Sequence, residues 1–199
     1  MSSQPTIETK HALMRDEVLN AFAERCQDSG PRGVSMASLV AQMGISTKTL
    51  YRLFPSKNDI LNALMQRWAD TSTLHQQQGL AERLLPKVRI TDAALAWLDT
   101  RNRFGEMFWT ELPKYFPSAY RIYEREYQAF LQRSRTNLVD SIRPEINADL
   151  ALSSLMTLIA HASEPVRCRR LKMRQRDAVI QTIEMWSQGA LRSTEEKAE

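Results

Sequence analysis

SMASLVAQMGISTKTLYRLFPSK, residues 35–57, is the stretch on which the reading of this chain turns. Ser35 is a good N-cap, because its side-chain oxygen can accept an amide of a helix's first turn. The apolar spacing then predicts a short helix over Met36–Met43, with Met36, Leu39, Val40 and Met43 on its inner side. Gly44 suits a left-handed helix end, Ile45 plugs the core, and Ser46 can cap a second helix, Thr47–Phe54, which Pro55 halts. Ser56 caps a longer helix, with Ile60, Leu61, Leu64 and Trp68 inside. Two short helices joined by a tight turn containing glycine are the pattern of a helix-turn-helix, here over about residues 35–54.

A tight helical corner alone does not require nucleic acid. The residues left outside the core sharpen the reading. With Leu50 and Phe54 inward, the second helix turns out Thr47, Lys48, Thr49, Tyr51 and Arg52, all hydrogen-bond donors. Ser29 to Asn58 contains no Asp or Glu, and its Arg32, Lys48, Arg52 and Lys57 account for the chain's whole net charge of +4. A local basic window in an otherwise balanced chain is what a phosphate-facing surface looks like.

Upstream, Met14, Val18, Phe22 and Cys26 step by four along a first helix, expected over Thr6 to Asp28 and broken at Ser29–Gly33. The 199 residues are 43% hydrophobic and 25% charged, ordinary for a globular chain, and only six are glycine. Strand-like runs are scarce, so the expected class is all-α, with about nine helices. No apolar run is long enough to span a membrane, and the first ten residues lack the apolar stretch of a signal peptide. With two cysteines, Cys26 and Cys168, a reduced cytoplasmic setting is expected. There is no GxSxG, P-loop or HExxH, and Glu124 and Glu126, two apart, fall on different sides of a helix. The expectation is a protein that is not an enzyme, with no cofactor and no metal site.

The ordered run Ser35-Met36, Leu39-Val40, Met43-Gly44-Ile45-Ser46, Thr49-Leu50-Tyr51, Phe54, Ser56-Lys57 and Ile60-Leu61 resembles the DNA-binding domain of the TetR/AcrR family of bacterial transcriptional regulators. The resemblance covers about residues 11–72. Ser35 stands where Thr is usual, Val40 where Ala is usual, and Lys48 where a small residue is frequent. It implies an N-terminal three-helix helix-turn-helix domain over 11–72 and an effector-binding and dimerisation domain over 73–199. It also implies that Thr47 and Lys48 meet base edges in the major groove and that Arg52 reaches a base or a phosphate. By the same resemblance Tyr51 and Lys57 grip phosphates, and Ser35, Ser46 and Thr49 add hydrogen bonds. Replacing Lys57 would then lower the salt dependence of DNA binding.

The family likeness further implies a repressor that binds a palindromic double-stranded DNA operator as a homodimer and is released by a small apolar or aromatic effector. An alternative is a DNA-bound interaction protein of the same architecture, controlled by a protein partner and without a ligand. The aromatic-rich stretch from Phe104 to Tyr127 is either plain core or the lining of an effector cavity. In the second case Arg101, Phe104, Met107, Phe108, Tyr123, Tyr127 and His161 are the candidates.

Farther on, Pro86 is expected to stop the helix begun at Ser56, and Thr91 or Asp92 to start the next. A long helix is expected from Pro117 to Arg143, another from Ala148 to Ser163, and a last one from Lys172 to Leu191. The basic run Arg167–Arg176 reads as a solvated connector. Ala151, Leu155, Leu158 and Ala162 form one apolar stripe, and Val179, Ile183, Trp186 and Ala190 form another. The penultimate helix is apolar nearly all round, which calls for a partner on its second side. The resemblance implies that these two helices pair with their symmetry mates.

Overall fold

A computed structural model describes residues 7–81 and 85–192. They form ten α-helices and one 3₁₀ turn: α1 Ile7–Gly33, α2 Met36–Met43, α3 Thr47–Leu53, α4 Lys57–Ala81, α5 Pro86–Phe104, α6 Glu106–Tyr115, α7 Pro117–Leu138, the turn Val139–Ser141, α8 Ala148–Ala162, α9 Pro165–Leu171 and α10 Gln175–Ala190. The class is all-α with an N-terminal helix-turn-helix, as expected. Among the described residues no helix is long and apolar enough to cross a membrane. The expected frayed tail Ser193–Glu199 lies outside the described residues.

The chain divides into two compact units, one holding residues up to Asp70 together with Thr100–Arg125, the other Thr71–Asp99 and the residues from Glu126 onward. A cut at 72/73 therefore does not follow the packing: α6, the end of α5 and the start of α7 belong with the helix-turn-helix. The core of the first unit gathers Val18, Phe22 and Cys26 of α1, Leu39 of α2, Leu50 and Leu53 of α3, Phe54, Ile60, Leu61, Leu64 and Met65 of α4, and Phe104, Phe108, Leu112 and Phe116. The core of the second joins Ile90, Ala94 and Leu98 of α5 to Leu152, Leu155 and Ile159 of α8 and Val179, Ile183 and Trp186 of α10.

Several expected boundaries moved. Helix α1 kinks at Gly30 (φ 63°) and continues through Pro31 to Gly33, so the break expected at Ser29 is a bend. Pro86 opens α5, ahead of the start expected at Thr91 or Asp92, because a first-turn residue has no intrahelical use for an N–H. Helix α7 stops at Leu138, before Pro144, and passes into the 3₁₀ turn. The basic connector contains α9, which buries Cys168 and lets its thiol donate to Ala162 O at 3.1 Å.

Two stripes expected at a dimer interface are mostly interior. Ala151, Leu155, Val179, Ile183, Trp186 and Ala190 all lie in the second unit's own core. Trp186 donates from Nε1 to Ala151 O at 3.1 Å, an intrachain bond between α8 and α10. Stripe spacing identifies a buried side but not what buries it, and here the two helices bury each other. Leu158 stays exposed and Ala162 half-buried. Exposed apolar residues elsewhere on the pair are Leu150, Ile180 and Met185. The bond from Trp186 to Ala151, with that from Gln175 to Ser163 O at the other end, sets α8 and α10 antiparallel. That register brings Leu158 level with Ile180.

Candidate nucleic-acid interface

Each corner of the helix-turn-helix is fixed by a local bond. Ser35 Oγ accepts the Ser38 amide at 3.0 Å while Ser38 Oγ accepts the Ser35 amide at 3.2 Å, a reciprocal capping box. Gly44 ends α2 in the left-handed region (φ 64°, ψ 25°) and donates its amide to Val40 O at 3.0 Å. Ser46 Oγ accepts the Thr49 amide at 3.0 Å and lies 2.8 Å from Thr49 Oγ1. The expected DNA donors Ser35, Ser46 and Thr49 are thus helix caps and the partner of a cap. At the far end of α3, Arg15 of α1 donates to Leu53 O at 2.5 Å and lies 4.2 Å from the Phe54 ring centroid. An arginine on a carbonyl of the last turn satisfies an orphan acceptor and favours the helix dipole.

The outward side of α3 carries Thr47, Lys48, Tyr51 and Arg52, all exposed. Among the described residues none of these four side chains makes a hydrogen bond or ion pair. The first turn of α3 holds no acidic residue. Exposed donors along a short helix, with no carboxylate among them, make a surface suited to phosphate and base-edge oxygens.

Lys57 departs from the expectation. Its Nζ donates to Pro31 O at 2.9 Å, Arg32 O at 3.1 Å and Val34 O at 3.0 Å, which uses all three of its hydrogens. The ammonium also lies 5.4 Å from the Phe116 ring centroid. Burial lowers its pKa, with Cys26 and Glu111 opposing and Arg32 adding to the shift. Beside it, burial pushes the Cys26 thiol up to about 12, so the lysine's neighbour is a neutral thiol. A lysine at the start of a helix next to a phosphate site reads as a phosphate contact from sequence. The three carbonyls that claim it lie 23 to 26 residues away, at the end of α1 and just beyond it.

The effector candidates fall in different units. Phe104 and Phe108 are buried in the first unit's core, stacked with ring centroids 4.7 Å apart. Trp109 sits edge-on to both, at 5.7 and 5.2 Å, and Tyr123 lies 5.0 Å from Trp109. For these rings the interior reading fits the packing, since aromatic pairs at such distances fill space. Met107 is exposed at the start of α6, and the Arg101 guanidinium lies 5.9 Å from the Trp109 ring centroid. Tyr127 and His161 instead line a cavity of about 840 Å³ between α7 and α8 of the second unit. Its lining includes Leu131, Leu152 and Met156, with the ion pair between Arg135 and Asp149. Burial pushes the Tyr127 hydroxyl pKa up, keeping it a neutral donor. The sequence did not point to Leu131, Arg135, Leu152 or Met156, because none stands in a motif.

Residues 19–64 match the family model described as bacterial regulatory proteins, tetR family. This N-terminal segment belongs to the tetR family. A nucleoid occlusion factor SlmA from Edwardsiella ictaluri is 38% identical over 60 residues, which is 30% of this chain and 30% of that protein. The chain thus aligns with under a third of the curated relative's length. Among solved structures, a transcriptional regulator from Saccharomonospora viridis in complex with choline superposes with TM-score 0.72 at 18% identity, covering 92% of this chain and 100% of that one. A transcriptional regulator from Rhodococcus sp. Rha1 gives 0.70 at 17% identity, covering 88% and 97%. These two show that the fold they share extends along the chain beyond the matched segment.

Proposed function

We propose that the protein is a transcriptional repressor that binds a palindromic DNA operator as a homodimer and is released by a small effector. The outward side of α3 carries this reading: Thr47, Lys48, Tyr51 and Arg52 project from a rigidly capped helix with no carboxylate beside them. In a dimer on successive major grooves the two copies of α3 stand about 34–36 Å apart, one turn of DNA. Support for the dimer comes from Leu158, Ile180 and Met185, apolar side chains that α8 and α10 leave exposed. The same two helices already share a core, so a second copy could cover their outer side.

For the effector, the lining of the cavity between α7 and α8 combines the apolar Leu131, Leu152 and Met156 with the polar groups of Tyr127, Gln128 and His161. A neutral, largely apolar molecule with one or two hydrogen-bonding groups fits that lining. The Saccharomonospora viridis protein, of the same fold, holds choline, a small molecule whose cationic head differs from the neutral ligand proposed for this lining. A second reading, control by a protein partner in nucleoid occlusion, takes its support from the SlmA relative, whose match is confined to 60 residues.

Sequencing genomic fragments retained by the pure protein, followed by anisotropy titrations on the enriched sites, tests the DNA reading. Inverted repeats are expected. Thr47→Ala or Lys48→Ala is expected to change the preferred bases by about 1–3 kcal/mol per lost contact. Equal, weak binding to every duplex would overturn the assignment of α3. A thermal-shift screen with apolar metabolites tests the cavity, and failure of every compound transfers the weight to the protein partner.

A further inference from the structure

The turn between α1 and α2 carries more bonds from distant helices than any other part of the helix-turn-helix. The last turn of an α-helix leaves carbonyls without intrahelical donors. In α1 those of Pro31 and Arg32, with that of Val34 just beyond, converge on the Lys57 ammonium of α4. The amide of Arg32 faces the other way and donates to Glu111 Oε2 of α6 at 2.9 Å. The Arg32 guanidinium lies 4.1 Å from the ring centroid of Tyr115, also on α6.

Two glycines let α6 come this close. A Cβ on Gly30 would stand 2.7 Å from Met107 Cγ and 2.8 Å from Glu111 Oε2, and Gly30 has φ +63°. A Cβ on Gly105 (φ +75°) would stand 3.1 Å from Gln27 O of α1. Gln27 in turn donates from Nε2 to Arg103 O at 2.8 Å. Pro31 and Val34 are buried, so the turn is pinned between a lysine on one side and a carboxylate on the other.

We propose that Lys57 and Glu111 are positioning residues for DNA recognition, clasping the 30–34 turn from opposite sides and so setting where α2 and α3 stand, and that Lys57 makes no phosphate contact. The inference rests on the DNA-binding reading above. All three ammonium hydrogens are engaged at ordinary hydrogen-bond distances, leaving none for an anion. Charge-assisted bonds of this kind are individually among the stronger ones in a protein. Three converging on one turn hold it more firmly than caps within the motif can.

The test measures duplex affinity over a range of salt for the wild type and for Lys57→Met, Lys57→Arg and Glu111→Ala, with amide hydrogen exchange over α2 and α3 on the same proteins. A clasp predicts that Lys57→Met weakens binding about tenfold while the salt slope stays at the wild-type value. It predicts that Lys57→Arg fails to restore affinity, because a planar guanidinium cannot serve three converging carbonyls. Glu111→Ala is expected to weaken binding although it removes a negative charge, and every weakened variant to exchange faster across α2 and α3. A slope lowered by about 0.9, with arginine restoring affinity and exchange unchanged, would overturn the proposal in favour of a phosphate contact. Tighter binding by Glu111→Ala would overturn the part played by α6. Should the wild type bind no duplex, the DNA reading fails by itself. Hydrogen exchange then still decides whether Lys57 and Glu111 hold the turn, and unchanged exchange in both variants sinks the clasp.

Discussion

The two compact units hold themselves together in different ways. In the first, helices meet at corners that particular polar bonds fix: Ser35 with Ser38, Ser46 with Thr49, Arg15 with Leu53, and Lys57 with the α1–α2 turn. In the second, α8 and α10 lie side by side on apolar stripes, and polar bonds such as Lys87 with Glu184 or Arg176 with Asp99 run along the surface. Corners fix a geometry, because moving one residue breaks a bond. Stripes fix only which side is buried. A surface meant to meet DNA in one register suits the first kind of construction, and a cavity suits the second, where apolar side chains can rearrange at small cost.

The largest expected effect tests the stripe. Trp186 is 8% exposed with its indole N–H on Ala151 O, so Trp186→Arg places an unpaired charge in the second unit's core. Destabilisation by more than about 4 kcal/mol is expected, read as a lost or much lowered melting transition. A variant that melts like the wild type and merely dissociates would return Trp186 to a subunit interface. Next in size, Leu158→Glu and Ile180→Glu alter exposed positions and are expected to preserve the fold. They should weaken self-association at least about tenfold in sedimentation equilibrium, and operator affinity with it. An unchanged dimer would place the interface elsewhere.

The smallest effect tests a corner. Gly44 has φ +64° and nothing within 4 Å of where a Cβ would stand, so Gly44→Ala carries only the cost of a left-handed alanine. About 1 kcal/mol is expected, a melting shift of roughly 2–4 °C for a chain of this size. A much larger shift would mean that the corner is held more tightly than its own hydrogen bonds account for.

What could be read in advance follows the same division. Residues 35–57 gave their helices, caps and outward donors because every signal there is local: an N-cap hydroxyl acts within three residues, and a left-handed glycine ends the helix it terminates. Leu53 escaped notice beside Leu50 and Phe54, although it is buried with them. The aromatic run from Phe104 to Tyr123 was recognisable as a cluster, yet nothing in its spacing says that it packs under the helix-turn-helix. Glu111 and Arg15 carried no signal, since their partners lie 79 and 38 residues away.

Neighbours in the chain were enough to set the all-helical class, the helix-turn-helix and the outward side of α3, where Thr49, expected outside with the other four, is half-buried against its cap. That Lys57 serves carbonyls, that the Trp186 stripe is interior, and that Tyr127 and His161 share a cavity while Phe104 and Phe108 fill a core came from the packing. A side chain's spacing shows which way it points along its own helix. What it meets there depends on residues brought close by folding, and no local pattern encodes them.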